Sequence, residues 1–150
     1  YKFTSDRIFM RSLGIDLGEK RIGISVSDST GLIAQPLLTL KRRIGKRFPM
    51  SSLKTIIEEH QVEHIILGLP LALSGKDTDW TTVVRELGKN LETTFKLPVH
   101  LVDERFTSSR AERIISTSNM SKKKRRDKKL VDTISAVLIL QSWLDRNQNL

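Results

Sequence analysis

The distribution of apolar residues along the first forty positions predicts a β-hairpin followed by a third strand. Apolar residues alternate with small or polar residues over 11–18 and again over 21–28, and the stretch "GEKR" joins the two segments. This spacing is typical of two antiparallel strands connected by a tight turn. Residues 30–40 continue as a short third strand, with Pro36 near its start or on an edge of the sheet.

The rest of the chain alternates between helical and strand patterns. Apolar positions three and four residues apart predict helices, and short apolar runs closed by Gly, Pro or charged residues predict buried strands. The predicted helices are 51–62, 77–95, 108–116 and 128–146, the predicted strands are 64–70 and 99–105, and 117–127 is a polar basic loop. This order gives an α/β fold, a mixed five-stranded sheet flanked by helices. We expect a single domain over 11–146, preceded by a flexible N-terminal arm over 1–10.

Acidic residues lie at the ends or in the middle of three apolar segments. Asp16 lies inside the first strand, Asp103 and Glu104 follow the apolar run of the strand 99–105, and Asp132 lies in the first turns of the last helix. A buried charge needs a partner, a proton or a bound cation, because an unpaired one costs several kcal/mol. Since the carboxyl ends of neighbouring strands converge, we expect these carboxylates to share a divalent cation. The alternatives are a satisfied structural Asp16 and an Asp132 that favours the helix dipole.

The amino-acid composition limits which metal ions the chain is suited to bind and indicates its cellular compartment. The 150 residues include no cysteine and only three histidines, so a zinc or thiol site is disfavoured. A site made of oxygen ligands alone favours Mg²⁺ or Mn²⁺. The lack of cysteine also fits a reducing compartment, and we expect a cytoplasmic protein. No apolar run reaches the ~18 residues that a membrane span requires.

Positive charge is concentrated in two short runs. The formal net charge is +9, and "KRRIGKR" at 41–47 together with "KKKRRDKK" at 122–129 hold twelve of the 26 Lys and Arg. This distribution predicts a polyanionic partner, nucleic acid rather than a membrane. The alternative for the second run is a solvated, mobile loop.

Four segments of the chain resemble one known family. In order along the chain, "GIDLGEKRIGISVSD", "IILGLPLALSG", "LVDERFTSSRAE" and "KLVDTISAVLILQSWL" look like the YqgF family, also called RuvX, and the match runs from about residue 11 to 145. Its members are named as nucleases of pre-16S ribosomal RNA or as Holliday-junction resolvases. The resemblance implies a ribonuclease-H-like fold with catalytic, metal-binding acids: Asp16 on the first strand, Glu104 at the fourth and Asp132 on the last helix. RuvC resolvases, which share this fold, carry a fourth acid where this chain has Ser135.

The chemistry that this resemblance implies is hydrolysis of a phosphodiester bond. Two metal ions roughly 3.5–4 Å apart would clamp the attacking and leaving oxygens. Asp16 would bridge both ions, and Glu104 and Asp132 would each hold one side. The expected substrate is structured nucleic acid, foremost the 5′ end of pre-16S ribosomal RNA. The alternative is branched DNA, whose cleavage at a four-way junction needs two active sites and hence a dimer; we expect a monomer or a weak homodimer.

Basic residues of both runs and two arginines near the site are expected to bind the nucleic acid. Contacts to phosphates position a substrate without reading its sequence, and their contribution falls steeply with salt. The predicted contact residues are Lys41, Arg42, Arg43, Lys46, Arg47, Arg105, Arg110, Lys122, Lys123, Lys124, Arg125, Arg126, Lys128 and Lys129. Arg105 and Arg110 have an alternative function, which is to pair with nearby acids.

Three smaller features have two interpretations each. The turn in "GLPLALSG" offers the backbone N–H groups of Ser74 and Gly75 to a phosphate, or it is a simple strand-to-helix connection. Trp80 and Trp143 have apolar neighbours at helical spacing and are predicted to be core residues rather than platforms for bases. The three histidines are assigned no chemistry.

Two other functions are consistent with parts of the sequence. A non-catalytic nucleic-acid-binding module would use the basic runs, but carboxylates facing a phosphate backbone hinder binding unless a cation lies between them. A nucleotide binder of the actin and sugar-kinase fold would use a hairpin like "IDLGEKRIG", yet such proteins need two copies of the fold. A nuclease assay and an ATP-binding measurement distinguish these functions.

Overall fold

The computed structural model describes residues 10–42, 47–105 and 128–147. Five strands form one sheet in the order β3-β2-β1-β4-β5, in which β1 pairs antiparallel with β2 and parallel with β4. The elements are β1 (Arg11–Leu17), β2 (Arg21–Ser27), β3 (Ala34–Lys41), α1 (Met50–His60), β4 (Val62–Leu69), α2 (Asp79–Phe95), β5 (Val99–Asp103) and α3 (Lys128–Asn147). The predicted mixed five-stranded sheet is confirmed. The predicted arm up to residue 9, the helix 108–116 and the loop 117–127 lie outside the described residues.

One face of the sheet carries most of the apolar core. Strand side chains alternate between the two faces, so every second residue of a strand points the same way. On this face β1 contributes Leu13, Ile15 and Leu17, and Leu53 of α1 and Leu91 of α2 pack against the sheet. All of these are almost fully buried, which makes this face the main source of hydrophobic stabilisation.

The other face carries small and polar residues beside a smaller apolar cluster, and it is covered by α3. Gly14 lies on this face, because a Cβ there would stand 2.8 Å from Leu140 Cβ and 2.9 Å from the Ala136 carbonyl oxygen. The Ser25 hydroxyl donates a 2.8 Å hydrogen bond to the same carbonyl oxygen. By the alternation of the strand, Asp16 lies on the face of Gly14, under α3. The strand thus buries its apolar residues on one side and aims its acid at a helix on the other.

Glycines in three adjacent strands let α3 approach the sheet closely. A Cβ on Gly23 of β2 would collide with the backbone of Asp132, and one on Gly68 of β4 would collide with the side chain of Ile139. Together with Gly14 these positions form a row under the helix. The row sets how near the Asp132 end of α3 lies to the strand that carries Asp16.

Replacing Gly23 with alanine is expected to destabilise the protein by about 2–3 kcal/mol, because the new methyl group displaces the helix backbone. The matched control is Gly88→Ala in the interior of α2, where a Cβ would meet its nearest atom at 3.5 Å. Alanine there should stabilise the protein by about 0.5–1 kcal/mol, since glycine is unfavourable within a helix. Urea unfolding of both variants checks this. Equal stability of Gly23→Ala and the wild type would show that α3 does not sit on this row.

The helix ends follow local signals to different degrees. The predicted start of α2 is close, and Thr78 caps it: the Thr81 N–H donates to the Thr78 hydroxyl (3.2 Å), and the Thr78 N–H donates to the Thr81 hydroxyl (2.9 Å). The first helix lacks such a cap, since α1 begins at Met50 after Pro49 without a hydrogen bond from a capping side chain. Within the described part of the chain, none of the helices combines the length and apolar character needed to cross a membrane.

Candidate active site

Asp16 and Glu104 meet at the carboxyl edge of the sheet. Asp16 is near the end of β1, and Glu104 directly follows β5, where its N–H donates a 3.1 Å hydrogen bond to the Leu69 carbonyl oxygen. Their side chains share a hydrogen bond. The expectation that Glu104 lies at the fourth strand is wrong, because β5, which Glu104 follows, is the fifth strand along the chain.

Gly68 explains how two acids separated by a strand come into contact. A Cβ at Gly68 would stand 2.7 Å from Glu104 Oε2, so a side chain at this position would occupy the space that the Glu104 carboxyl uses. The Glu104 side chain therefore crosses β4 at its glycine to reach Asp16. The stretch "LGLP" does not by itself indicate this crossing, because a glycine before a proline also marks the end of a strand.

The two carboxyl groups share a proton near neutral pH. Burial raises the pKa of Asp16 from its ordinary 3.8 to about 6; the hydrogen bond from Glu104 opposes this shift and the charge of Asp132 adds to it. Burial, followed by the charge of Asp16, raises the pKa of Glu104 from 4.5 to about 9. Two partly buried acids in contact cannot both ionise at low cost, so one of them holds the proton. A bound cation would remove that repulsion.

Asp132 lies near this pair but has a protein partner. It accepts a 3.0 Å hydrogen bond from Nε of Arg21, and both side chains are about one-quarter exposed. Its charge acts on Asp16, which places it in the same region. Among residues 10–42, 47–105 and 128–147, no three His, Cys, Asp or Glu side chains are arranged as a ready-made metal site. The structure thus brings Asp16 and Glu104 together and leaves Asp132 beside them, bound to Arg21.

Ser135 offers a further oxygen ligand on α3. It is 1% exposed, and its hydroxyl has no hydrogen-bond partner among the described residues. Ser135 lies one turn after Asp132 and one turn before Ile139, the residue that packs on Gly68. Buried hydroxyls normally have a partner, so this one is suited to a water molecule or a hydrated cation. Two acids with a shared proton and an unpartnered hydroxyl form an all-oxygen donor set, which fits Mg²⁺ or Mn²⁺.

The predicted nucleic-acid contacts that are described lie close to the same edge. Lys41 and Arg47 are exposed. Arg42 donates a 3.1 Å hydrogen bond from Nη1 to the Gly18 carbonyl oxygen, and its guanidinium lies 5.5 Å from the ring centre of Trp80. Arg43, Lys46, Arg110, Lys122, Lys123, Lys124, Arg125 and Arg126 lie outside the described residues, as do the side chains of Lys128 and Lys129.

Arg105 and Gly75 both have partners within the protein. Arg105 pairs with Asp103 at 2.7 Å and donates a 3.2 Å hydrogen bond to the Leu73 carbonyl oxygen, so it makes the acid pair that was its alternative function. The Gly75 N–H donates to the Ala72 carbonyl oxygen at 2.8 Å, which favours the simple connection between β4 and α2. Both groups brace the segment between β4 and α2.

The aromatic residues are placed as predicted, with one addition. Trp80 packs against the larger core and Trp143 against the smaller one beneath α3. The rings of His64, His100 and Trp143 lie against one another, and the two imidazoles share a hydrogen bond of 3.0 Å. Burial lowers the pKa of both histidines, which keeps them neutral near pH 7. These residues begin β4 and β5, so they lie at the edge of the sheet opposite the acids.

Known proteins share this arrangement of strands. In the solved structures, RuvC of Thermus thermophilus in complex with a Holliday junction substrate aligns with a TM-score of 0.56 at 12% identity, covering 93% of this chain and 96% of RuvC. The fowlpox virus Holliday junction resolvase aligns with a TM-score of 0.57 at 14% identity, covering 91% of this chain and 99% of that one. The fold is therefore the ribonuclease-H-like fold of these resolvases.

Sequence similarity narrows the class to one family. The RuvX family, described as Holliday junction resolvase, matches residues 10–146. Proteins of Koribacter versatilis (strain Ellin345) and Syntrophomonas wolfei subsp. wolfei, both named "Putative pre-16S rRNA nuclease", are 48% and 43% identical over 136 residues. Each match covers 91% of this chain, and they cover 87% and 94% of the relatives. The chain belongs to the RuvX family, a family of nucleases.

Proposed function

We propose that this protein is a metal-dependent nuclease that hydrolyses phosphodiester bonds, and that Asp16, Glu104 and Asp132 form its active site. The observation that carries the proposal is the contact between the Asp16 and Glu104 carboxyls across Gly68, at a sheet edge where Asp132 adds a third carboxyl group. Acids held this close are unfavourable in a protein that only binds nucleic acid. They are favourable where a divalent cation is bound between them and the substrate.

Each residue of the proposed active site has its own function in metal binding. Asp16, Glu104 and Asp132 would hold Mg²⁺ or Mn²⁺, with Ser135 holding a water molecule beside them. When bound, the metal supplies a lowered pKa for water and stabilises negative charge on the phosphate oxygens. Asp16 and Glu104 would hold the metal as carboxylates and would therefore give up their shared proton, because carboxylates coordinate in the ionised form. Arg21 keeps the Asp132 carboxylate oriented toward β2, next to the strand that carries Asp16.

The proposed substrate is structured RNA, foremost the 5′ end of pre-16S ribosomal RNA, in a cytoplasmic setting. The names of the curated relatives support this choice. The exposed Lys41 and Arg47, beside the same edge as the acids, supply positive charge for the phosphates. The second candidate is a Holliday-junction resolvase, which the description of the family favours. Resolution of a junction requires two active sites, so it also requires a homodimer in place of a monomer.

The test is a cleavage panel with the purified protein. Precursor-like structured RNA, single-stranded RNA and a four-way DNA junction are incubated with Mg²⁺, with Mn²⁺ or with EDTA. We expect cleavage of the structured RNA with either metal and none with EDTA. Cleavage of the junction alone would assign the second candidate. No cleavage of any substrate with either metal, by a protein that binds RNA, would refute the nuclease.

A further inference from the structure

The segment between β4 and α2 forms a braced turn. The Ala72 N–H donates to the Lys76 carbonyl oxygen at 2.9 Å, and the Gly75 N–H donates to the Ala72 carbonyl oxygen at 2.8 Å. Gly75 adopts a φ of 87°, a conformation that glycine accepts without strain. The base of the turn is fixed as well, since the Thr81 hydroxyl donates to the Pro70 carbonyl oxygen. The turn therefore holds its tip in one position.

Arg105 ties this tip to the strand end that carries Glu104. Its guanidinium pairs with Asp103 at 2.7 Å and donates to the Leu73 carbonyl oxygen at 3.2 Å. Arg105 is the residue after Glu104, so the tip of the turn lies at the same edge of the sheet as the proposed active site. The tip of the turn is therefore held beside Arg105, the chain neighbour of Glu104.

The side chain at this tip is apolar and open to water. Leu73 is 74% exposed, whereas the other exposed large apolar residues of the described chain are 37% to 57% exposed. A single exposed leucine is common on protein surfaces. A leucine held on a rigid turn at the sheet edge that carries the acids is different, because the backbone contacts that fix the turn leave its side chain without a function in folding.

The chemistry of a nucleic acid offers one partner for such a side chain. The apolar side chain of Leu73 makes no favourable contact with a charged phosphate, and the Gly75 N–H of the same turn already donates to the Ala72 carbonyl oxygen. The faces of nucleobases are apolar, and leucine is one of the apolar side chains that insert between base steps and partly unstack them in other nucleic-acid complexes. An unpaired base presents such a face, whereas a base inside a continuous duplex does not.

We propose that Leu73 packs against an unstacked base next to the scissile phosphate, so that the enzyme selects substrates with an unpaired base at that place. This inference rests on the proposed nuclease function and names the feature of the substrate that the site recognises. The class of substrate is a strand that leaves a duplex beside the cleaved bond.

The test compares Leu73→Ser with Leu73→Phe and with Ile33→Ser. Ile33 is 57% exposed and precedes β3, at the end of the sheet away from Asp16, so it controls for the loss of an exposed apolar side chain. The probe is an RNA hairpin with a single-stranded 5′ extension, carrying 2-aminopurine in turn at each position across the junction. Binding is measured without metal, where no strand is cut, and cleavage is measured with Mn²⁺.

For the wild type and Ile33→Ser we expect a rise in 2-aminopurine fluorescence at one position at the junction. Leu73→Ser should lose that rise, bind the hairpin about tenfold more weakly and keep the affinity of the wild type for a fully duplex RNA. Leu73→Phe should retain the rise. Identical fluorescence and affinity for Leu73→Ser and the wild type would overturn the inference while leaving the nuclease intact. Wild-type protein that shows the rise but cleaves nothing would refute the nuclease and keep the contact.

Discussion

Replacing Asp16 with asparagine is expected to lower the metal-dependent cleavage rate by about a thousandfold or more, with little change in stability. The amide has nearly the shape of the carboxyl and retains a hydrogen bond to Glu104, so β1 and the row of glycines under α3 stay as they are. It cannot supply the negative charge that the metal requires. Steady-state cleavage with Mn²⁺ and thermal unfolding of the same preparation measure the two parts of this prediction.

The matched control for Asp16→Asn is Asp28→Asn. Asp28 follows β2 in an exposed turn, where its carboxylate accepts hydrogen bonds from the Thr30 hydroxyl and the N–H groups of Leu32 and Ile33. This variant should cleave at the rate of the wild type. RNA binding should be retained in Asp16→Asn, and it should increase at low salt because one negative charge near the phosphates is removed. A cleavage rate within tenfold of the wild type would remove Asp16 from the active site.

The sequence was sufficient to predict the sheet because its strands carry strong local patterns. The alternation in β1 and β2, the turn between them and the apolar run of β4 gave the hairpin and the parallel core. The predicted bounds differ from the observed ones by a few residues, as at β3, which begins at Ala34. Local propensity does not fix strand ends, since pairing with a neighbour decides where a strand stops.

The packing of α3 was not predictable in the same way. Gly68 is far in sequence from Gly14 and Gly23, and a single glycine in a strand signals a bulge, a bend or a close approach equally well. Only the order of the strands shows that all three lie under one helix. The sequence alone therefore predicts the acids of the site but not the glycines that bring them together.

The same reason applies to the partners of the acids. Asp16, Glu104 and Asp132 were selected by residue type and by position at the ends of apolar segments. The contact between Asp16 and Glu104 needs β4 between them to have no side chain at Gly68, and the pairing of Asp132 with Arg21 joins residues 111 positions apart. Neither relation leaves a mark in local sequence, because both depend on the tertiary arrangement.

Replacing Glu104 with glutamine is expected to stabilise the metal-free protein at pH 8 by on the order of 2 kcal/mol, which raises Tm by about 5 °C. The pKa of Glu104 is about 9 in the folded protein and that of Asp16 about 6, against ordinary values of 4.5 and 3.8. The folded state therefore holds more protons than the unfolded state between about pH 4 and 9. Stability falls as pH rises through this window, because the folded protein must either keep the proton or separate two charges.

Glutamine cannot ionise and retains a hydrogen bond to Asp16. The variant therefore keeps most of the stability that the wild type loses as the pH rises. Its advantage in Tm should be greatest near pH 8 and become small near pH 4.5, where the Glu104 carboxyl is protonated in the folded wild type and about half protonated in the unfolded chain. Asp28→Asn is the control of opposite sign: the Thr30 hydroxyl holds the pKa of Asp28 below its usual value, so this replacement should lower Tm slightly at pH 8. Thermal unfolding from pH 4.5 to 8 in EDTA measures all three proteins.

Adding Mn²⁺ should reverse the order of the wild type and Glu104→Gln. A cation that binds only the folded state stabilises it by about 2.7 kcal/mol at a hundredfold excess over Kd, and the wild type gains this stabilisation once Asp16 and Glu104 give up their proton. The variant has one carboxylate fewer and should gain much less. The proton and the metal compete for the same two carboxyls, Asp16 and Glu104. A Tm advantage of Glu104→Gln that is the same at pH 4.5 and pH 8, or that persists in Mn²⁺, would therefore contradict the assignment of this pair as a metal site.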